Sequence, residues 1–497
     1  MPVRDLAELQ RLIDAHNPAV YLVDEDPERI EILLEELART KAQPLLRWAP
    51  GTGLCGSNQR NPIADTVKLG GCLAHIAAQN RPQVVHLINA HEALEHIALT
   101  PIVQEILQSH RAHRGMVIFS SREPTLPAPW RASIPMVQMS VPTREEYFVF
   151  VQRLVADLRK RMRVEMHLTS EDVTSLLNLL QGMSFSLVRR VLTEAILMDG
   201  MLDAGDLERV LQAKRETIAT SGVLEYFPAD TGLEDVAGLH NLKSWLGARG
   251  RAFLEPARAA EFGLEPARGV LLLGVQGCGK SLAAKAVANA WSMPLIRLDP
   301  GRLYEKYMGE SEKNLRRALA QCEALAPAVL WIDEIEKAFG SADDNDGGAS
   351  QRIFGTLLTW LQEKSAAVFV IATANDIRRL PPELLRKGRF DEIFFVDLPR
   401  PDVREAILSV HLRRRKRSPS EFDLPSLVAA TDGFSGAELE QVVVGALYAA
   451  FAEHQPLTQA HLEAEIGATR PLSQTMREPI EALRRWAADR TVPADAP

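Results

Sequence analysis

The stretch Gly274-Val275-Gln276-Gly277-Cys278-Gly279-Lys280-Ser281 constrains this chain more than any other. It follows the apolar run Val270-Leu271-Leu272-Leu273 and opens a helix-favouring segment, Leu282–Ala288. The order is strand, glycine-rich loop, helix, with the spacing G-x-x-x-x-G-K-S of a phosphate-binding loop. Glycines let successive backbone N–H groups turn inward around phosphate oxygens, and the helix N-terminus adds its positive end. Gly274, Gln276, Gly277, Cys278, Gly279 and Leu282 form or flank that cradle. Lys280 is expected to reach the β- and γ-phosphates, and the Ser281 hydroxyl to ligate Mg²⁺.

At 497 residues the chain is too long for one ordinary core, so two or three domains are expected. A net charge of −8 argues against a general nucleic-acid binder, which needs a basic face, although a local basic groove is compatible with it. The four cysteines, Cys55, Cys72, Cys278 and Cys322, contain no C-x-x-C pair, so neither a zinc ribbon nor a disulfide scaffold is supported. Cys278 inside the phosphate loop fits a reducing compartment. The N-terminus lacks a basic-then-apolar signal pattern, and no run approaches 18 apolar residues. The expectation is a cytoplasmic protein with no membrane span.

Before the loop, apolar runs at Ala19–Val23, Val84–Ile88, Met116–Phe119 and Met136–Met139 alternate with helical stretches such as 27–39. Such alternation predicts an α/β fold, a parallel sheet with helices on both faces. From Thr169 to Leu211 the pattern is helical only. His91-Glu92-Ala93-Leu94-Glu95-His96 looks like a zinc-protease helix, but its histidines are five apart. Five residues turn a helix by about 500°, so the rings cannot share one metal on one face. The glycine-rich stretch Ala49–Gly56 has no Lys-Ser/Thr after it and reads as an ordinary surface loop.

The two halves echo each other. Gly182-Met183-Ser184 and Gly433-Phe434-Ser435 each begin a helix with apolar positions in step, and Pro142-Thr143-Arg144-Glu145-Glu146 parallels Pro401-Asp402-Val403-Arg404-Glu405. The chain reads as two divergent copies of one α/β unit with a helical lid. In the first copy Asp24-Glu25-Asp26 stands where a phosphate loop should follow the first strand. Three carboxylates repel a triphosphate. Asn89 and Ala90 stand where acidic residues should follow Ile88. The first copy is therefore expected to be non-catalytic.

In the second half, Ala328-Val329-Leu330-Trp331-Ile332 ends in Asp333-Glu334, some fifty residues after the phosphate loop. Asp333 can hold Mg²⁺ through its water shell. Glu334 can orient, and take a proton from, the water attacking the γ-phosphate. The strand Val368–Ala372 leads to Asn375, where a neutral polar group could touch the γ-phosphate or the water. Arg386 and Arg389, close together before the strand Ile393–Val396, suit charge on a transferred phosphoryl group.

With these motifs in place, residues 233–455 resemble the ATPase module of the AAA+ superfamily, specifically its AAA clade. Gly433-Phe434-Ser435-Gly436-Ala437-Glu438-Leu439 in the lid also matches. The resemblance implies binding of ATP and ADP with Mg²⁺, Asn375 as sensor 1, and Arg386 and Arg389 reaching a neighbouring subunit's ATP. It implies a ring, usually a hexamer. His411 matches the clade's nucleotide-proximal histidine, Asp235 and Val236 its adenine-side loop, and Gly436 and Ala437 the lid turn over the nucleotide. Tyr307 and Met308, in Lys306–Glu312, resemble its pore loop. An aromatic and a methionine on a short loop can grip varied side chains without sequence readout. Over nearly the full length the chain also looks like AAA proteins encoded in some plastid genomes and in cyanobacteria and other bacteria, which share an N-terminal region without a phosphate loop.

The reading divides the chain into a degenerate AAA-like domain (1–168), a lid-like segment (169–211), a linker of polar helix and loop (212–232), an ATPase core (233–400), a helical lid (401–470), and a C-terminal helix and tail (471–497). The basic run Arg413–Arg417 reads as a solvated helix end. The helix around Ile480–Ala487 is expected to pack on the ATPase domain, and the last residues to be disordered. The function expected is ATP hydrolysis by a homo-oligomeric ring that remodels or threads a protein client. The alternative is an ATP-switched scaffold whose first half docks partners.

Overall fold

Apolar runs in this chain become strands buried on both faces, and their alternating residues feed two cores. In the strand Gly269–Gly274, Leu271 and Leu273 pack into one apolar cluster while Val270 and Leu272 pack into another. The same division occurs in Ala19–Val23, where Tyr21 and Val23 face one way and Val20 and Leu22 the other. The computed structural model describes residues 3–495, apart from 25, 57–60, 80, 91–95, 114, 122–125, 127–129, 141, 220–221, 229–230, 266, 305–309, 340–346 and 387. Tyr307 and Met308 therefore lie outside the described residues, as do Lys387 and most of His91–His96.

The chain divides into two units, residues 1–214 and 215–497. In the first, strands β1 (Ala19–Val23), β2 (Leu45–Ala49), β3 (Gly53–Gly56), β4 (Val84–Ile88), β5 (Met116–Ser121) and β6 (Met136–Gln138) form a sheet in the order β3-β2-β4-β5-β1-β6. All pairings are parallel except β3 with β2. A helical layer follows, held by its own core from Tyr147 to Val210. It includes a short parallel pair, β7 (Glu165–His167) and β8 (Met201–Asp203).

In the second unit β9 (Leu224–Phe227), β10 (Gly269–Gly274), β11 (Leu295–Leu298), β12 (Ala328–Ile332), β13 (Val368–Ala374), β14 (Glu392–Val396) and β15 (Val492–Pro493) take the order β15-β14-β10-β13-β12-β11-β9. Only β9 is antiparallel to its neighbour. With the edge strands β3, β9 and β15 set aside, each sheet's strands number 5-1-4-3-2 along the chain. The repeated topology is what two copies of one unit require. A lid core built on Leu408, Leu439, Val442 and Leu462 completes the second copy.

Four local expectations are corrected. The supposed surface loop 49–56 is a hairpin: β3 pairs antiparallel to β2, and Gly51 and Gly53 supply the positive φ of its turn. The all-helical stretch holds β8, which pairs with β7 just before it; both are too short to show a period. The polar stretch 212–232 holds β9, which extends the second sheet. The last described residues are ordered, because β15 adds to the open edge of β14. The amphipathic helix Arg477–Ala487 packs on the second core through Leu483 and Trp486, and Arg484 donates to both oxygens of Asp397, at 2.8–2.9 Å. Among the described residues no helix is long and apolar enough to cross a membrane.

Candidate active site

The site grows from the edge where β10, β12 and β13 end. Gly274 closes β10, and the loop that follows leads into the helix Lys280–Ala290, which Gly279 caps. That helix is anchored by Ala283, Ala284, Ala286 and Val287, buried against one face of the sheet. Gly277 adopts φ +76°, and a Cβ there would lie 3.1 Å from the Ala437 side chain and the Ser435 hydroxyl. The position needs glycine both for its backbone and because the lid comes down on it. Ala437 N–H donates to Gly277 O at 2.9 Å, so the N-terminus of the lid helix Gly436–Ala452 rests on the phosphate loop.

Lys280 is buried, and its Nζ donates to Gly274 O (2.9 Å) and Val275 O (2.8 Å). Burial pushes its pKa down to about 8, against the opposing pull of Cys278, Glu336, Asp333 and Glu334. The Cys278 thiol is pushed up to about 12 by burial, so it stays neutral beside that lysine.

Asp333 and Glu334 sit just beyond β12. Ser281 Oγ donates to Asp333 Oδ1 at 3.2 Å, and Thr373 Oγ1, from β13, donates to the same oxygen at 2.8 Å. Arg297 approaches Asp333 Oδ2 at 3.4 Å. Glu334 has φ +49°, a strained conformation for a residue with a side chain. It is pinned there: its N–H donates to Thr373 Oγ1 (2.9 Å), Asn375 Nδ2 donates to its Oε1 (2.9 Å), and Lys337 pairs with its Oε2. Asn375 is itself held, since its N–H donates to Glu336 Oε1 at 2.8 Å.

These groups line one cleft of about 660 Å³. At one end stand Gly277–Ser281, Asp333, Glu334 and Asn375; the wall also carries Asp235, Val236, His411, Gly436 and Ala437. Burial lowers the His411 pKa, against the opposing pull of Glu440 at 3.5 Å. Arg386 and Arg389 are not among the lining residues: Arg386 is exposed and Arg389 half-buried on a separate turn after β13. The structure thus brings every described sequence-predicted site residue to the cleft except these two arginines and Gly274, whose carbonyl holds Lys280 from behind the lining.

Comparisons with known proteins show the family. The family described as "ATPase family associated with various cellular activities (AAA)" matches residues 270–398, and the AAA+ lid domain matches 421–464. The N-terminal domain of the SpoVK-like AAA ATPase matches 5–139, and its second domain 146–221. The uncharacterized AAA domain-containing protein ycf46 of Guillardia theta is 35% identical over 485 residues, covering 97% of this chain and 94% of its own. That of Pyropia yezoensis is 34% identical, covering 97% of each. The chain belongs to the AAA ATPase family.

In this AAA ATPase several cleft residues escaped the sequence. Thr373 was legible as part of Ala372-Thr373-Ala374-Asn375, but nothing in that motif says its hydroxyl joins Asp333 to the Glu334 amide. Glu336 and Lys337, behind the cleft lining, follow the acidic pair after Ile335, and the order of residues does not reveal that one holds Asn375 and the other Glu334. Arg414, from the basic run, pairs with Asp235 at 3.2 Å and lines the cleft. Pro493, Ala494 and Asp495 line it too, from a segment with no motif.

Proposed function

We propose that this protein hydrolyses ATP with Mg²⁺, and that a ring of its copies couples hydrolysis to remodelling or threading of a protein client. The observation that carries the reading is the convergence of Lys280, Ser281, Asp333, Glu334 and Asn375 at one end of one cleft. A phosphate loop with a buried lysine needs an anion to settle its charge, and a triphosphate supplies it. Ser281 Oγ and Asp333 Oδ1, 3.2 Å apart, are hard oxygen donors suited to Mg²⁺, with phosphate and water filling the other positions. When bound, Mg²⁺ neutralises charge on the transferring phosphoryl group.

The chain's own residues do the rest. Lys280 binds the β- and γ-phosphates. Glu334, aimed by the Thr373 hydroxyl and by Asn375, orients the attacking water and takes its proton. Asn375 lies within reach of the same water and the γ-phosphate. Arg386 and Arg389, outside the cleft of their own copy, serve the cleft of a neighbour. Lys280→Ala is expected to abolish nucleotide binding, measured with a fluorescent ATP analogue. Glu334→Gln is expected to bind ATP as tightly as the wild type and to turn it over at most at about a hundredth of the rate. Normal hydrolysis by Glu334→Gln would reject the assigned base.

A second reading, an ATP-switched scaffold, is favoured by the first unit, whose loop after β1 carries carboxylates engaged with the protein itself. Tyr307→Ala separates the two: a threading machine loses client processing while its ATPase persists, and a scaffold loses nothing.

A further inference from the structure

The cleft lining is of two chemical kinds. The phosphate loop, Asp333 and Glu334 make a polar part, the polar end. Val236, Val403, Ile407 and Val410 make an apolar part whose side chains suit the flat face of a nucleotide base. Pro493, Ala494 and Asp495 belong to the cleft as well, and the structure shows how firmly they are held.

The segment 492–495 is a strap sewn to two elements, β14 and the helix His240–Leu254. Val492 and Pro493 pair with Phe394 and Phe395 of β14, and Ala494 N–H donates to Phe395 O at 2.8 Å. Leu242 N–H donates to Ala494 O (3.1 Å), and Asn241 Nδ2 donates to Pro493 O (3.1 Å) and Asp495 O (2.9 Å). The Asp495 carboxylate accepts from His240 N–H at 3.1 Å and lies 2.5 Å from His240 Nδ1. Underneath runs the turn of Asp235–Gly238. Gly238 has φ +67°, and a Cβ on it would sit 2.6 Å from Asp495 Oδ2 and 2.9 Å from Val403. The strap therefore presses the Gly238 turn against the lid helix Pro401–Arg414, which carries Val403, Ile407 and His411 into the cleft.

We propose that residues 492–495 are the base-side wall of the nucleotide site, fixing the turn and lid helix between which the base lies. The inference rests on the cleft being a nucleotide site. Its signature is that base and phosphate affinity separate. Inorganic triphosphate engages only the polar end, so loss of the strap leaves its binding alone; ATP binding depends on both ends.

The test uses the full chain, a chain ending at Thr491, and the point variant Asp495→Ala, which keeps β15. Titration of each with Mg-ATP and with Mg-tripolyphosphate is expected to show ATP affinity reduced about tenfold or more in both variants, with tripolyphosphate affinity within about twofold of the parent. Unchanged ATP affinity in Asp495→Ala and in the shortened chain overturns the proposal. So does an equal loss for both ligands, which would make the strap a general prop for the fold. Should the shortened chain not fold, Asp495→Ala decides alone. If the intact chain binds neither ligand, the nucleotide-site reading fails first, and the strap proposal with it.

Discussion

At the scale of single residues, the site stores an unfavourable charge that a bound anion would relieve. A buried ammonium with its pKa lowered to about 8 is held in place by two loop carbonyls, which engage two of its three hydrogens but do not settle its charge. A triphosphate beside it favours the charged form, so the bound-state pKa lies above the free-state one. The sign follows by linkage. Below pH 8 the free lysine is already protonated and binding takes up no proton. Above pH 8 binding must take one up, and the apparent Kd for ATP should rise about tenfold per pH unit until the bound-state pKa is reached. Equilibrium titration of the Glu334→Gln variant at pH 7, 8 and 9 measures this without turnover. A flat Kd across that range would show that Lys280 does not change its charge state within the cleft. The left-handed Glu334 belongs to the same scale: such strain costs on the order of 1–3 kcal/mol and persists because Thr373, Asn375 and Lys337 over-determine it.

At the scale of elements, the two copies make the same loop-to-lid contact by different chemistry. In the second unit a backbone carbonyl, Gly277 O, meets the N-terminus of the lid helix. In the first, the loop after β1 offers the carboxylate of Asp26 instead. It accepts from Phe185 N–H and from Ser186 Oγ (3.0 Å) at the start of the helix Phe185–Asp199, and it also caps the helix Pro27–Lys41. Its neighbours are equally engaged: Arg29, itself buried, pairs with Asp5 (2.9 Å), Asp24 (3.3 Å) and Glu146 (3.5 Å). Burial pushes the Asp24 and Glu146 carboxyls up, as expected for acids drawn into the protein. An anion at a helix N-terminus is where a phosphate would bind, so the protein supplies its own. Asp26→Ala removes a cap and leaves the buried Phe185 amide unpaired, a cost of about 2–4 kcal/mol. Hydrogen exchange of the helix 185–199 should accelerate by about one and a half to three orders of magnitude, as those energies imply, with the second unit's β10 unaffected. No acceleration would mean that the lid of the first unit is held by its apolar core alone. The repeat itself was legible in the sequence, from paired Gly-x-Ser helix starts and from carboxylates standing in a phosphate loop's place. The role of those carboxylates was not, since charge repulsion toward a ligand says nothing about which internal amide a carboxylate finds. β3, β9 and β15 were missed for a related reason. Edge strands of two to four residues owe their conformation to a neighbour's open hydrogen bonds, and they carry no period of their own.

At the scale of the whole molecule, the second unit is complete in fold and incomplete in charge. Its cleft holds one buried lysine against Asp333 and Glu334, while Arg386 and Arg389 stand outside, Arg386 exposed and Arg389 with a buried Nε that lacks a hydrogen-bond partner. In the proposed ring, a guanidinium outside its own cleft would stabilise a transferring phosphoryl group in a neighbouring copy's cleft, through a head-to-tail contact whose rotation closes. The arrangement predicts complementation. Lys280→Ala keeps its arginines but loses its nucleotide; Arg389→Ala keeps its nucleotide but loses an arginine. Each variant alone should be nearly inactive. In an equal mixture, roughly a quarter of clefts pair an intact nucleotide site with an intact neighbouring arginine, so about that fraction of wild-type ATPase should return. The regained rate should vary with the mixing ratio and peak near equality. Activity that stays at the level of the separate variants at every ratio would place Arg389 in its own subunit's structure rather than in a neighbour's catalysis, and with it would go the reason for a ring.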